Sequence, residues 1–150
     1  MFRKASSADL PAIIALLADD PLGATREVSS EATDQAYLEA FAAIEADPNQ
    51  LLAVMIDDNG KVIGCLQLSF IPGLSRKGMW RGQIESVRIA ASHRGGGLGA
   101  AMIEWAVEQA KEKGCGLVQL TSDKRRPDAI RFYEKLGFVA SHEGLKLDLS

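Results

Sequence analysis

Arg94-Gly95-Gly96-Gly97-Leu98-Gly99-Ala100 stands between a strand-like run, Gln83 to Ala90, and a helix-like run from Leu98 to about Lys113. A glycine-rich passage from strand to helix leaves backbone N–H groups bare at the positive end of a helix, an arrangement that binds phosphate. The plain alternative is a flexible loop. A nucleoside-triphosphate loop requires Lys after its last glycine; Leu98 and Ala100 flank Gly99 here, so that reading fails. The dinucleotide fingerprint G-x-G-x-x-G/A is formally met by Gly95 to Ala100, with Asp123 as the downstream acid. But that fingerprint follows its strand directly, whereas Ala91-Ser92-His93-Arg94 intervenes. The chain is also too short, and opens with the wrong elements, for a two-halved dinucleotide fold.

Working outward, residues 2–5 read as a short strand, and Ser7-Ala8-Asp9 as the start of a helix carrying Ile13, Leu16 and Leu17 to about Ala18. Asp19 to Glu31, with Pro21 and Gly23, reads as a loop, and a second helix is expected from about Thr33 to Ala46 with Tyr37, Phe41 and Ile44 on one face. Leu51 to Ile56 and Val62 to about Ile71 form a hairpin around Asp58-Asn59-Gly60. Pro72 to Gly78 is a loop before the strand through Ile84 and Val87, which starts near Trp80. Leu98, Met102, Ile103, Trp105, Ala106 and Ala110 make a broad apolar stripe on the helix after the glycine turn. Leu117 to Thr121 is a strand. Pro127 suits the first turn of a last helix, Asp128 its dipole and Gly137 its end. Phe138-Val139 and Leu145 to Leu149 are expected as closing strands. The order β-α-α-β-β-β-α-β-α-β-β gives an α+β fold in one domain spanning 1–150.

The segment Asp128-Ala129-Ile130-Arg131-Phe132-Tyr133-Glu134-Lys135-Leu136-Gly137-Phe138 joins the glycine turn as a second marker. Together they resemble the GNAT (GCN5-related) N-acetyltransferase superfamily, and the match of elements covers nearly the whole chain. Arg94, Gly97 and Gly99 fit that family's pyrophosphate loop, Gln/Arg-x-x-Gly-x-Gly/Ala, in register. The resemblance implies the GNAT acyl-CoA N-acyltransferase fold, a mixed central sheet flanked by helices. It implies acetyl-CoA as cosubstrate at Arg94, Gly95, Gly96, Gly97, Leu98, Gly99 and Ala100, where glycines let the backbone approach without a Cβ in the way. Arg94 either adds a charge-assisted contact or is a solvated loop residue. The pantetheine arm is implied to pair with the backbone at Val87-Arg88-Ile89, where an N–H would hold the oxyanion, with the strands through Val87 and Val118 splayed apart.

Two side chains are the catalytic candidates. The resemblance implies that Tyr133 protonates the leaving thiolate; a neutral phenol suits that role, and its alternative is a half-buried packing tyrosine. If Ile84 faces the core, Glu85 faces the other side, where the resemblance sets a general base for the amine; its alternative is a solvated strand carboxylate. Phe132, Leu136 and Phe138 are core by spacing. Where the family commonly has Asn, this chain has Arg126; the run Lys124-Arg125-Arg126 either meets coenzyme A phosphates or is a solvated loop. His142 is a further base candidate, His93 a solvent-facing residue.

The 150 residues, 47% hydrophobic and 25% charged, suit a soluble globular protein. A net charge of −3 argues against a general nucleic-acid binder. No apolar run reaches the ~18 residues of a membrane span, and the first residues lack a signal-peptide core. Cys65 and Cys115 lie in apolar strand patterns without a metal or disulfide spacing, so both are expected as buried, reduced thiols in the cytoplasm, with no metal. The acceptor is expected to be a small-molecule amine, with a protein or peptide amine second. A non-catalytic acyl-CoA sensor or interaction module is the reading from another class. Acceptor contacts are expected from Asp20–Ser30, from Tyr37 and Phe41, from 70–81 with Phe70 and Trp80, and from the hairpin near His142. Homodimers are common in the family, and one is expected here.

Overall fold

A computed structural model describes residues 1–19, 34–126 and 128–150. Strands β1 (Phe2–Lys4), β2 (Gln50–Ile56), β3 (Val62–Ile71), β4 (Arg81–Ile89) and β5 (Leu117–Leu120) lie in one sheet, in that order. The first four are antiparallel neighbours, and β5 runs parallel to β4. Helices α1 (Leu10–Ala18), α2 (Gln35–Ala46), α3 (Leu98–Lys113) and α4 (Ala129–Lys135) flank it, giving the α+β architecture with a mixed sheet that the sequence implied. The expected loop at Asp19–Glu31, the start of α2 at Thr33 and the role of Pro127 fall outside the described residues, apart from Asp19.

Local chemistry accounts for the element ends. Asp9 accepts the Ser6 N–H at 2.7 Å and both ends of the Arg3 guanidinium at 2.7 and 3.0 Å, which ties β1 to the start of α1. The Asp34 carboxylate accepts the Ala36 N–H at 2.8 Å and caps α2. The β2–β3 turn is organised by Asp57, whose Oδ1 accepts the N–H groups of Asn59 and Lys61 at 2.9 Å each. At the end of α4, Gly137 N–H reaches Glu134 O at 3.0 Å and Phe138 N–H reaches Tyr133 O at 3.1 Å, the expected close. Residues 75–78 form a left-handed turn rather than a plain loop, with Arg76 and Lys77 at φ 54° and 60°.

Because side chains alternate across a strand, the sheet has two apolar faces. Leu66, Leu68 and Ile84 point to α3, meeting Met102, Ile103 and Ala106. Val54 and Cys65 point to α1 and α2, meeting Leu10, Ile13 and Phe41. Cys65 is buried as expected; Cys115 is only half-buried and precedes β5 instead of lying in it.

The closing strands are where the structure departs from the sequence reading. Beyond Phe138 no residue lies in a strand, and 139–150 are exposed throughout. The alternation Leu145-Lys146-Leu147-Asp148-Leu149 has strand period, but period alone supplies only one side of a ladder.

Candidate active site

The β4–β5 ladder stops at Ile84 opposite Leu120, while β4 continues to Ile89. Past that point the two strands part, and among the described residues no strand pairs with the β5-facing edge of β4. A bulge sits at this place. Opposite β3 the register steps from Gln67–Glu85 to Cys65–Arg88, so β4 carries one extra residue, and Ser86 takes φ 56°. A left-handed serine costs on the order of 1 kcal/mol or more, and such strain clusters at functional sites.

The bulge decides which backbone groups face the gap. Ala90 N–H donates to Ile63 O on β3 at 2.8 Å. Residues alternate between the two edges of a strand, so Val87 and Ile89 turn their N–H and C=O groups to the gap, and Arg88 turns its own toward β3. The Val87 carbonyl accepts Arg88 Nη1 at 2.9 Å and the Ile89 carbonyl accepts Arg94 Nε at 3.0 Å. The two guanidinium groups thus occupy the carbonyls of this edge.

Arg94 also donates from Nη2 to Asp19 O at 3.2 Å, with the Asp19 carboxylate at 3.7 Å. It braces the glycine turn between the end of β4 and the end of α1. Of the expected glycines, Gly95 and Gly97 take φ 84° and 81°, and nothing lies within 4 Å of where their Cβ atoms would be. Gly97 precedes α3, and no side chain caps that helix start. The N–H groups of Leu98, Gly99 and Ala100 precede the first intrahelical bond, from Ala101 N–H to Gly97 O, and carry the positive end of the helix dipole. Gly99 is different: its Cβ would stand 3.4 Å from Phe132 Cζ. Its missing side chain lets α4 approach α3.

The next residue, Tyr133, packs against the sheet's core cluster and lies near enough to Arg88 on β4 for that charge to act on it. Tyr133 is half-buried, edge-on to Phe132 at 5.0 Å and to Phe138 at 5.7 Å between ring centroids. Burial pushes its phenol above the usual value of 10, with the charges of Arg88 and Arg126 pulling the other way. The hydroxyl therefore stays protonated at neutral pH and can donate. Arg126, standing where an amide was expected, contributes its charge here. Its neighbours in the basic run are engaged elsewhere. Arg125 grips Asp123 at 2.8 and 3.1 Å and holds that carboxyl well below the usual range. Lys124 lies 3.8 Å from Glu143.

Ile84 is buried and Glu85 exposed, on the face of the sheet shared with Gln67. The same face holds a cleft of about 150 Å³ between α1, α2 and the sheet, lined in part by Tyr37, Phe41, Cys65, Gln67 and Ser86. Burial pushes the Cys65 thiol up to about 12, which keeps it protonated at neutral pH. Tyr37 and Phe41 border this cleft. Phe70 and Trp80 do not: they pack at the other end of β4, Phe70 opposite Gly82 with Lys113 5.3 Å above its ring. Asp20–Ser30 lies outside the described residues. His142 is in the exposed segment after α4 and shares a 2.6 Å bond with Ser141; His93 pairs likewise with Ser92 at 2.8 Å. Ser86 and Gln67 were not legible from sequence, since neither residue type signals a bulge. Among the described residues no cluster of His, Cys, Asp or Glu has the make-up of a metal site, and no helix is long and apolar enough to cross a membrane.

Comparison with known proteins bears on this geometry. Residues 11–138 match the acetyltransferase (GNAT) family. The chain is 30% identical to the aminoalkylphosphonate N-acetyltransferase of Salmonella typhimurium over 140 residues, 93% of this chain and 85% of that one. It is 40% identical to the glucosamine 6-phosphate N-acetyltransferase of Trypanosoma brucei brucei over 90 residues, 60% of this chain and 59% of that one. A crystal structure from Bacillus halodurans C-125, described as a transcriptional regulator, superposes with a TM-score of 0.96 at 46% identity over 99% of both chains.

Proposed function

This chain belongs to the acetyltransferase (GNAT) family, a family of acetyl-CoA-dependent enzymes, and from that premise we propose that it acetylates a small primary amine by direct attack on the thioester. The observation that carries the reading is the edge of β4 at Val87 and Ile89, which among the described residues no strand covers. It leads through the glycine turn into the uncapped start of α3, and Tyr133 lies near enough to Arg88 for that charge to act on its phenol. In this reading the backbone from Arg94 to Ala100 receives the pyrophosphate. The Val87 and Ile89 N–H groups receive the pantetheine arm and the thioester oxygen, where a donor is worth most in a water-poor site. The amine nitrogen enters from the cleft on the Glu85 and Ser86 face. A nitrogen–carbon bond forms and the carbon–sulfur bond breaks. Sulfur leaves with the bonding electrons and takes the Tyr133 proton, and Glu85 receives the amine proton directly or through water.

The names of the two curated relatives each join an amine to a phosphorus oxyanion, so amines of that kind head the acceptor candidates. The free thiols Cys65 and Cys115 fit a reducing compartment, and we take the cytoplasm as the site of action. The test is coenzyme A release from acetyl-CoA across a panel of aminoalkylphosphonates, amino sugar phosphates, amino acids, polyamines and peptides. Turnover above 1 s⁻¹, roughly the low end for enzymes, on a small amine is expected; turnover on peptides alone overturns the substrate class. The name of the Bacillus halodurans structure favours a second reading, an acyl-CoA-binding module without catalysis. Tight acetyl-CoA binding with no turnover on any amine selects it.

A further inference from the structure

The bulge at Ser86 decides where the Arg88 side chain goes. Side chains alternate across a strand, so without the extra residue Arg88 would share the face of buried Ile84. With it, Val87 and Ile89 pack with the cluster on the α3 side. Arg88 stands opposite Cys65, which belongs to the cluster on the other face. Arg88 is half-buried there, and its Nε is shut off from solvent. Its Nη1 turns back over the strand to the Val87 carbonyl at 2.9 Å. The guanidinium therefore lies at the edge of β4, between the two faces of the sheet.

Its charge acts on both sides of that edge. It pulls down the Cys65 thiol, which packs with α1 and α2. It also pulls down the Tyr133 phenol, which packs on the α3 side, and does so more strongly than Arg126 ahead of α4. Glu85 lies earlier on β4, exposed on the Cys65 face. A guanidinium stays charged throughout the working pH range.

In the proposed reaction negative charge appears twice, first on the thioester oxygen and then on sulfur. The Val87 and Ile89 N–H groups answer the first. The second has the Tyr133 proton, but burial holds that phenol above 10. An ordinary thiol has a pKa of about 8.5, so proton transfer from the phenol to the thiolate is uphill by itself. A fixed cation near both groups removes that obstacle, because an opposite charge favours each anion.

We propose that Arg88 is the counter-charge of the departing sulfur, a catalytic residue that lets the thiolate leave before it is protonated. The inference rests on the proposed acetyl transfer. The carbon–sulfur bond breaks as the nitrogen–carbon bond forms, and sulfur keeps the bonding pair opposite the guanidinium. The Tyr133 proton follows, and the phenolate regains a proton from solvent. The anchor uses the Val87 carbonyl and leaves its N–H to the thioester oxygen.

The test reads the thiol itself. Coenzyme A carrying carbon-13 beside its sulfur is titrated with pH by magnetic resonance, free and bound to the full chain. The bound thiol is expected about one unit or more below the free one, a tenfold shift, in the parent and in Arg88→Lys. In Arg88→Gln it should return to the free value. Glutamine can still donate to the Val87 carbonyl, so that loss reports charge and not support. On the best amine of the panel, Arg88→Gln should lose about tenfold or more in kcat, with KM for acetyl-CoA within about threefold; Arg88→Lys should restore most of the rate. A thiol that titrates no lower when bound to the parent overturns the proposal, and that outcome needs no variant to fold. So does an Arg88→Gln chain that keeps the lowered thiol or the parent kcat. A lowered thiol without turnover on any amine overturns the acetyl transfer and upholds the counter-charge, whereas turnover with an unlowered thiol does the reverse.

Discussion

Gly99 lies against Phe132: a Cβ on Gly99 would stand 3.4 Å from the ring Cζ. The glycine turn and the helix that carries Tyr133 are therefore one mechanical unit, and the glycines of the turn serve different ends. Gly99→Ala places a methyl in ordinary contact and should cost under about 1 kcal/mol. Gly99→Val overpacks the contact and should cost about 1–3 kcal/mol, with α4 displaced. Urea unfolding and kcat together check this: the Val variant should lose kcat more than acetyl-CoA affinity. Equal loss in both would mean that the Gly99 side-chain position bears on phosphate binding as well as on packing.

Gly97 and Gly95 share a left-handed backbone and open surroundings, so alanine at either brings a similar strain, about 1 kcal/mol. Only Gly97 heads α3. Gly97→Ala should weaken acetyl-CoA binding tenfold or more, about 1.4 kcal/mol, and Gly95→Ala less than threefold, with matched losses of thermal stability. Titration calorimetry on both variants decides the matter; unchanged affinity in Gly97→Ala would remove the pyrophosphate assignment.

Tyr133→Phe keeps the ring contacts with Phe132 and Phe138 and deletes the hydroxyl. If Tyr133 protonates the thiolate, kcat should fall about 10²-fold or more with melting temperature and acetyl-CoA affinity little changed. Burial raises the phenol pKa, so the protonated, active form persists to higher pH than for a free tyrosine. The alkaline fall in rate should lie above 10 in the parent and vanish in the Phe variant. Glu85→Gln should lower activity only in part, because water can also take the amine proton. A Tyr133→Phe enzyme within threefold of the parent, with chemistry rate-limiting, makes Tyr133 a packing residue.

Asp9 is held by Arg3 and Ser6, and the Arg3 hydrogen bonds lower its carboxyl to about 2. A depressed carboxyl stabilises the fold above its unfolded pKa, and that contribution is lost as pH falls through the folded value. Stability should therefore drop between about pH 4 and pH 2. Asp9→Asn should cost about 2 kcal/mol at pH 7 and flatten that acid limb. Denaturant unfolding at stepped pH is the measurement; an unchanged acid limb in Asp9→Asn would assign it to other carboxylates.

What the sequence determined alone was whatever depends on neighbours a few residues away. The strand into Arg94 to Ala100, the helix after it, the Gly137 close of α4 and the buried Ile84 beside exposed Glu85 all follow from periodicity and from glycine at helix ends. Tertiary structure decided the rest. Ser86 carries no local preference for positive φ, and its bulge exists because Cys65 and Gln67 on β3 hold the register on either side. Arg94 became a brace because Ile89 and Asp19 come to meet it. Phe70 and Trp80 left the acceptor side because β4 is long enough to separate its two ends. Leu145 to Leu149 has strand period, yet no strand forms there, since period alone does not supply the partner that a ladder needs. Backbone hydrogen bonds between strands are contacts at a distance in sequence, and no local pattern specifies which edge, or whose, will supply them.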